Sequence, residues 1–389
     1  MKNSIRFGSL ALTVTAATAL VVGPSAGSGF AAPATAQSHA ERPAHHPSSH
    51  ALFVQTDDVN GNHVAAYAQG DDGSLTLSGT YATGGKGGIL PTSVIDHTAS
   101  QGAVTYDKAN RLLYVVNAGS NTVSVFGVEG DQLHLRQVVP SGGIFPVSVA
   151  VHDDVVYVVN AQEGGSIQGY RVFGRVLAPV KAWNRPLGLD PTLTAFTQTP
   201  GQVAFSPDGS QLLVTTKANT NSIDVFGLGR SGAPVGAVVH NIRAGSVPFA
   251  LDFAPDGTVL VTDAGPAAVT SLTLNADGTL TPLSTVVTGQ RGTCWVIRSG
   301  NHLFTTNPGG PSVSTLTLNG TAAPTVTGTT TTDAGTVDPA ISHDGRYLYV
   351  ETGAAGIIDE FAVHADGSLT QIGSVSVTNG AGAEGIATD

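Results

Sequence analysis

Short apolar runs separated by polar turns recur along this chain, and many of them alternate with the two-residue period of a β-strand. Residues 200–227 (TPGQVAFSPDGSQLLVTTKANTNSIDVF) contain an apolar segment, a Pro-Asp-Gly turn, a second apolar segment, a polar turn and a third, alternating segment. Residues 234–240 add a fourth segment. After residue 36, no apolar stripe keeps the 3.6-residue period of an amphipathic helix. The pattern therefore predicts units of four antiparallel strands.

This four-segment unit repeats along the chain, for example from 111 (RLLYVVNAGSNTVSVF) and from 155 (VVYVVNAQEGGSIQGY). Seven polar residues mark the ends of the second segments: Thr56, Asn117, Asn160, Lys217, Asp263, Asn307 and Glu351. Their spacings approach the roughly 40–50 residues of a propeller blade, with two longer loops around 84–100 and 174–199. We predict an all-β, seven-bladed β-propeller of four-stranded antiparallel blades. A parallel β-helix is the alternative, but its repeats would be shorter and would lack this hairpin order.

The two ends of the chain predict how the ring closes. The first repeat starts at Ala51 with a second strand and lacks an innermost one. Residues 384–388 (EGIAT) resemble an innermost strand without its followers. We therefore expect both termini to share one blade of a propeller spanning residues 51–389, which would leave no exposed sheet edge.

Residues 1–36 have the features of a signal peptide. A positively charged start precedes an apolar run at 10–22, which is short for a membrane span, and residues 34–36 (ATA) offer a signal-peptidase site. Cleavage after Ala31 is the alternative. The Pro-, Ser- and His-rich residues 37–50 are predicted to be a disordered linker. We expect a secreted protein without a membrane span.

Composition narrows the function classes. The 49 glycines and 21 prolines interrupt the chain too often for long helices. A net charge of −11 disfavours nucleic acid and anionic membranes as partners. The single cysteine, Cys294, cannot form an internal disulfide, and we interpret it as a buried packing residue rather than a nucleophile. We expect a monomer.

Several segments resemble the β-propeller lactonase family, which includes bacterial 6-phosphogluconolactonase and the fungal muconate-lactonizing enzymes. They are NAGSNTVSVF (117–126), PVSVAV (146–151), QVAFSPDG (202–209), VPFALDFAPDG (247–257), CWV (294–296) and DGRYLYV (344–350). The chain is most similar to a branch of exported, Thr/Gly-rich members from high-GC bacteria. The resemblance implies a lactone hydrolase.

Propellers bind ligands where loops converge on the central channel. The second-strand ends named above should face that region. So should the entries to the innermost strands: Gly102, Ser148, Gln202, Ala250, Trp295, Asp338 and Glu384. Residues that depart from the repeat at these positions are the most informative about a site.

Hydrolysis of a lactone needs a base that activates water and a donor near the carbonyl oxygen. Asp338 or Glu384, on neighbouring blades, is the candidate base. The full candidate set is Asp338, Glu384 and Lys217 as catalytic residues, with Gln202, Trp295, Arg291, Glu351 and Ser148 as substrate-binding residues. Among these, Lys217, Gln202 or Arg291 is the candidate oxyanion donor. The alternative interpretation is that the same groups pair with one another and solvate the channel mouth.

Histidine placement separates this chain from the family pattern, in which His and Arg side chains act in the channel. No histidine occupies a strand entry, and His97, His152, His302 and His343 are assigned to loops or turns. Export and the acidic channel residues disfavour phosphorylated sugar lactones. No metal or cofactor is expected.

Two function classes stay open. One is a metal-independent hydrolase of a small lactone or ester. The other is a non-enzymatic extracellular propeller that binds an envelope glycan, peptide or protein. Converging acidic groups with a base would favour the hydrolase. A channel mouth sealed by Trp295 and aliphatic residues would favour the binding protein.

Overall fold

The computed structural model describes residues 50–320 and 324–389. The predicted signal peptide and all but the last residue of the predicted linker lie outside this range. Within it, 29 strands form seven antiparallel sheets that surround a central channel. The predicted seven-bladed propeller is confirmed. No helix in these described ranges is long and apolar enough to cross a membrane.

The first four blades contain β1 to β16. Blade 1 contains β1 (Ala51–Gln55), β2 (His63–Gln69) and β3 (Leu75–Ala82); blade 2 contains β4 (Val104–Asp107), β5 (Leu112–Asn117), β6 (Thr122–Glu129) and β7 (Gln132–Pro140). Blade 3 contains β8 (Pro146–His152), β9 (Val155–Asn160), β10 (Ser166–Phe173), β11 (Val176–Pro179) and β12 (Arg185–Pro186); blade 4 contains β13 (Val203–Phe205), β14 (Gln211–Thr215), β15 (Ser222–Leu228) and β16 (Pro234–Ile242).

The remaining blades follow the same order. Blade 5 contains β17 (Pro248–Phe253), β18 (Val259–Asp263), β19 (Ala268–Leu274) and β20 (Leu280–Val287); blade 6 contains β21 (Val296–Ser299), β22 (His302–Asn307), β23 (Ser312–Thr317) and β24 (Thr325–Thr331). Blade 7 contains β25 (Thr336–Ile341), β26 (Tyr347–Thr352), β27 (Ile357–Val363) and β28 (Leu369–Ser376), and β29 (Ile386–Thr388) returns to blade 1. Short 3-10 turns lie at Ala118–Ser120, Lys181–Trp183 and Phe196–Gln198.

The second strand of each blade is the best buried. Every residue of β5 (LLYVVN) and of β26 (YLYVET) is buried, because each strand has a neighbouring strand on both edges and a neighbouring blade on both faces. Outermost strands such as β16 and β28 consist mainly of exposed and partly buried positions. The core is thus a set of clusters between adjacent blades, as the apolar second segments of the repeat predict.

Acidic-Gly turns join the two outer strands in several blades. Gly73, Gly278 and Gly367 have φ values of +84°, +85° and +82°, the left-handed region that favours glycine. At Gly73 a Cβ atom would lie 2.2 Å from the ring of Tyr347 in blade 7. This turn therefore requires glycine both for its backbone conformation and for the close approach of the neighbouring blade.

Closure of the ring occurs as predicted, in blade 1. β29 pairs antiparallel with β1, with Phe53 opposite Ala387. The Ala51 amide also donates to Asp389 Oδ1 (3.0 Å), and Thr388 Oγ1 donates to the Ile341 carbonyl of blade 7 (2.6 Å). The C-terminus thus joins the first blade and contacts the last.

Two histidines lie in strands, so their assignment to loops was wrong. His152 is the last residue of β8 and His302 is the first residue of β22. Each histidine lies next to a hairpin turn of only two residues. Because the turn is so short, the histidine still pairs with the opposite strand: His152 pairs with Val155, and His302 pairs with Ser299.

We predict that Ala387→Pro destabilises the ring. The Gln55 amide bonds to the Gly385 carbonyl and the Asp389 amide to the Ala51 carbonyl, which places Ala387 in a hydrogen-bonded pair with Phe53. Proline removes that donor and should cost about 1–3 kcal/mol. Differential scanning calorimetry should show a lower Tm than for Ala387→Ser, the matched control. Equal Tm values for the two variants would contradict a stabilising role for the closing strand.

Candidate functional site

One end of the channel, here the upper face, carries the ends of the second strands and the starts of the innermost ones. The loop between β3 and β4 crosses this face, and its residues 98–101, the channel segment, enter the channel. The Gln101 side chain donates to the Val296 carbonyl and accepts from the Val296 amide of blade 6, both at 2.9 Å. Its backbone amide donates to the Gly201 carbonyl of blade 4, and its carbonyl accepts from Ser148 Oγ of blade 3. The channel segment therefore closes the channel from blade to blade.

Glu384 and Trp295, two predicted site residues, hold the channel segment in place. Glu384 Oε1 accepts from the Ser100 amide (2.6 Å) and from the Trp295 indole nitrogen (3.1 Å). Glu384 Oε2 accepts from the Thr98 hydroxyl (3.0 Å), and the Trp295 indole also donates to the Ser100 carbonyl (2.6 Å). Both side chains are fully buried. In this structure both bind the channel segment, Trp295 through the Ser100 backbone and Glu384 through the Ser100 backbone and the Thr98 hydroxyl.

Ser148 and Gln202 also bond to the protein itself. Ser148 Oγ accepts from the Val203 amide (3.2 Å) in addition to its bond with Gln101, and Gln202 Oε1 accepts from the Leu251 amide (2.6 Å). Innermost strands have no neighbouring strand on the channel side, so their polar backbone groups need side-chain partners. Both residues serve this purpose.

Four carboxyl groups meet beside the channel segment and are called the carboxyl cluster: Asp57, Asp338, Glu351 and Glu384. All four are buried. The Glu384 amide donates to Asp57 Oδ2 (3.3 Å), and the Gly385 amide donates to Glu351 Oε2 (2.9 Å). Burial raises the pKa of each group well above its ordinary value. For Glu351 the charge of Asp338 raises the pKa further, and for Glu384 the charges of Asp96 and Asp338 do so.

Lys217 is a buried cation at the upper end of the channel, only 1 % exposed. Its Nζ donates to the carbonyls of Ala99 (2.6 Å) and Phe196 (2.5 Å) and lies 5.3 Å from the centre of the Phe249 ring. Burial lowers the pKa of Lys217 to about 8, although the negative charge of Asp96 opposes this shift. Through these two bonds Lys217 connects blade 4 to the long loops around residues 84–100 and 174–199.

Beside Lys217 is a cavity of about 280 Å³, the upper pocket. It is lined by Thr92, Val94, Ile95, Asp96, Phe196, Thr197, Lys217, Val247, Phe249, Ala264, Cys294, Pro308 and Gly309. Asp96 is buried, and its Oδ1 accepts from the Ser93 hydroxyl at 2.8 Å. Burial raises the pKa of Asp96 to about 6, while the Ser93 hydroxyl and the charge of Lys217 act in the opposite direction. A carboxyl group and an ammonium group therefore share one small pocket.

Asp96 was absent from the predicted site residues. It lies in the insertion around residues 84–100, which has no strand periodicity to show where a side chain points. The one available signal was the insertion itself, an acidic residue in a long loop that must pass the channel mouth.

Asp338 and Gln202 line a second cavity, of about 390 Å³, which we call the lower cavity. Gln101, Gly102, His152 and Phe205 also line it. His152 and Phe205 end the innermost strands of their blades, so this cavity lies toward the opposite end of the channel. The structure thus separates Asp338 and Gln202 from the pocket that contains Lys217.

Arg291 and Cys294 differ in their exposure to solvent. Arg291 is exposed, and within residues 50–320 and 324–389 its side chain has no hydrogen bond or ion pair. Cys294 is buried, as predicted, and lines the upper pocket. Burial, followed by the charge of Asp96, raises the pKa of its thiol, which keeps it protonated. Among the described residues, no three His, Cys, Asp or Glu side chains are grouped to hold a metal ion.

Residues 61–175 match a protein-family model described as "Lactonase, 7-bladed beta-propeller". The chain is similar to these lactonases. Its fold is shared with a periplasmic gluconolactonase of Pseudomonas aeruginosa (19% identity, TM-score 0.69, covering 87% of this chain and 98% of the other). It is also shared with a candidate 6-phosphogluconolactonase of Bacteroides fragilis (19% identity, TM-score 0.69, covering 88% and 100%). No curated protein matches the sequence significantly.

We predict that Glu351→Gln stabilises the lactonase-like propeller at alkaline pH. A carboxyl pKa that is raised in the folded state favours the protonated form there. The stability that the carboxyl contributes is therefore fully present below about pH 4, and it is lost as the pH rises toward the pKa of the group in the folded state. Glutamine keeps an acceptor for the Gly385 amide and cannot ionise. The Tm gain over wild type should therefore be larger at pH 8 than at pH 4.5. Exposed Glu163→Gln is the control, and a gain independent of pH would argue against a buried, protonated Glu351.

Proposed function

We propose that this chain is an exported hydrolase that opens a small lactone or ester in the upper pocket without a metal ion. The observation that carries the proposal is that Asp96 and Lys217 both line the upper pocket. The pKa of the acid is raised to about 6 and that of the amine is lowered to about 8. Between these values the carboxylate and the ammonium group are both present in quantity, which is what base catalysis with charge stabilisation requires.

Asp96 is the proposed general base. Its Oδ1 is held by Ser93, whereas its Oδ2 has no hydrogen-bond donor within the described parts of the chain. Oδ2 is therefore free to accept a proton from a water molecule in the pocket. A pKa near 6 suits this task, because the group is ionised at neutral pH and still basic enough to take a proton.

Lys217 is the proposed oxyanion donor. An ammonium group has three N–H donors, and two of them bind the carbonyls of Ala99 and Phe196. The third remains for the carbonyl oxygen of a ligand. The two bonds also fix the position of Nζ, so that little reorganisation is needed when negative charge develops.

The reaction follows from these positions. As water attacks the carbonyl carbon, Asp96 takes one water proton, and the carbonyl electrons move to the oxygen that faces Lys217. Collapse of this tetrahedral intermediate breaks the bond between the acyl carbon and the ring or ester oxygen. That oxygen receives the proton from Asp96. The products are a hydroxyl group and a carboxylic acid, which releases a proton at neutral pH.

The comparisons support both parts of the proposal. The matched family model and the two structural neighbours all carry lactonase descriptions, and the Pseudomonas protein is described as periplasmic. Export is further supported by the signal-peptide features of residues 1–36. Mass spectrometry of protein recovered from the culture medium should find a chain beginning at Gln37. A chain retained in the cells with an intact N-terminus would contradict export.

Closure of the channel favours a second candidate function. The channel segment and Trp295 close the channel, and the carboxyl cluster is buried beside them. A rigid, closed propeller suits the non-enzymatic binding of an envelope glycan, peptide or protein, because binding on its outer surface needs no access to the channel. Absence of turnover on a broad panel of lactones and esters would support this function instead.

Asp96→Asn should lower kcat/KM for lactone hydrolysis by about 10²–10⁴-fold, because the variant keeps the shape of the side chain but loses the base. A pH-indicator assay on purified protein, with and without EDTA, measures this change. Asp190→Asn, an exposed carboxyl in the other long insertion, is the matched control. If turnover survives Asp96→Asn but disappears in Asp338→Asn, the general base is Asp338 in the lower cavity and not Asp96.

The pH profile gives the same experiment a second readout. Below about pH 6, protonation of Asp96 removes the base, and above about pH 8, deprotonation of Lys217 removes the positive charge. We therefore expect kcat/KM of the wild-type protein to show a bell-shaped dependence on pH, with its maximum between these limits. In Lys217→Arg the alkaline limb should move upward, because arginine stays protonated. An unchanged alkaline limb would contradict the role of Lys217.

A further inference from the structure

We infer that the ligand of the upper pocket is an uncharged, apolar lactone or ester with an alkyl or aryl group, and not a sugar lactone or a phosphorylated one. This inference rests on the proposed function and adds the substrate class. The inferred substrate differs from the sugar lactones that appear in the names of the two structural neighbours.

The wall of the upper pocket is almost wholly apolar. Its apolar residues are Val94, Ile95, Phe196, Val247, Phe249, Ala264 and Pro308. Phe249 is also packed against Trp295, with ring centres 4.6 Å apart, which holds its ring in the wall. Apolar surface releases water when an apolar ligand covers it, which favours binding.

The polar side chains that line the pocket are too few for a sugar: besides Lys217 and Asp96 they are the hydroxyls of Thr92 and Thr197, two exposed residues. Lys217 has one N–H left, and the proposed reaction uses it for the carbonyl oxygen. Asp96 is used for the attacking water. A sugar lactone carries several hydroxyl groups, and each one buried without a partner costs about 1–3 kcal/mol. The pocket therefore discriminates against polyhydroxylated ligands.

Charge disfavours a phosphorylated ligand as well. Among the residues that the structure describes, Lys217 is the one cationic side chain that lines the pocket, and two of its three donors are already used. Asp96 adds negative charge, and the whole chain has a net charge of −11. Phosphate recognition normally requires several donors or arginine side chains, and none of the lining residues is an arginine.

The rim and the volume limit the ligand further. Val94 lines the pocket yet is 82 % exposed, so an apolar side chain stands uncovered at the entrance. A volume of about 280 Å³ corresponds to roughly nine water molecules at about 30 Å³ each. It therefore admits a ligand of the order of ten non-hydrogen atoms, such as a short-chain lactone or a bicyclic aryl lactone.

Dihydrocoumarin and glucono-δ-lactone test the inference, because they are of similar size and differ in polarity. We expect kcat/KM to be higher for dihydrocoumarin by at least about 100-fold, the effect of two or more unpaired hydroxyl groups. A preference for glucono-δ-lactone that Asp96→Asn abolishes would overturn the apolar substrate class and leave the proposed hydrolase intact.

Val94→Asp places a charge at the rim and should raise KM for dihydrocoumarin at least about 10-fold with little change in kcat. The matched control is Val176→Asp, at an exposed valine of the outer hairpin of blade 3, which should leave both constants unchanged. Equal effects of the two substitutions would overturn the assignment of the rim.

Binding of α-tetralone, an apolar ketone that cannot be hydrolysed, separates the two proposals. Calorimetry should detect binding to the wild-type protein and to Asp96→Asn, and weaker binding to Val94→Asp. Binding without turnover of any lactone would keep the apolar site and refute the hydrolase. No binding of α-tetralone at millimolar concentration would refute the apolar site, whether or not a lactone is hydrolysed.

Discussion

The innermost strands of the ring expose one edge to the channel, and the polar backbone groups on that edge must be satisfied. In this protein the channel segment and a few side chains supply the partners. Gln101 bonds to both backbone groups of Val296, and Gln202 accepts from the Leu251 amide. An unpaired buried backbone group would cost about as much as a lost hydrogen bond, so the ring and the loop that closes it depend on each other.

Closing the channel also determines the electrostatics of the upper face. The channel segment excludes water from Glu384 and from its neighbours in the carboxyl cluster, which raises their pKa values. It also supplies the Ala99 carbonyl that holds Lys217 beside the upper pocket. The reactive groups of the proposed hydrolase therefore arise from the insertion before blade 2 and from the end of a blade 4 strand. No single repeat contains both.

Several details of the fold follow from local chemistry and could be predicted from residues alone. Alternating apolar positions specify strands, and the left-handed glycines at Gly73, Gly278 and Gly367 specify hairpins. The strand at 386–388 pairs with β1 of the first blade, as its resemblance to an innermost strand predicts. The positions of His152 and His302 were harder to predict, because the turns beside them have only two residues. Such turns shift the end of a strand by a residue without changing its pattern.

The sequence by itself determined the number of blades, the order of their strands and the joining of the two termini, because each depends on a repeated pattern between near neighbours. It also predicted that Lys217, Trp295 and Glu384 face the channel region, where their hydrogen bonds place them. Only the tertiary structure decided which of them face a cavity, which bind the channel segment, and that Asp96 joins Lys217 while Asp338 lines the lower cavity. The physical reason is that a non-repeating loop takes its position from distant hydrogen-bond partners, which no local periodicity encodes.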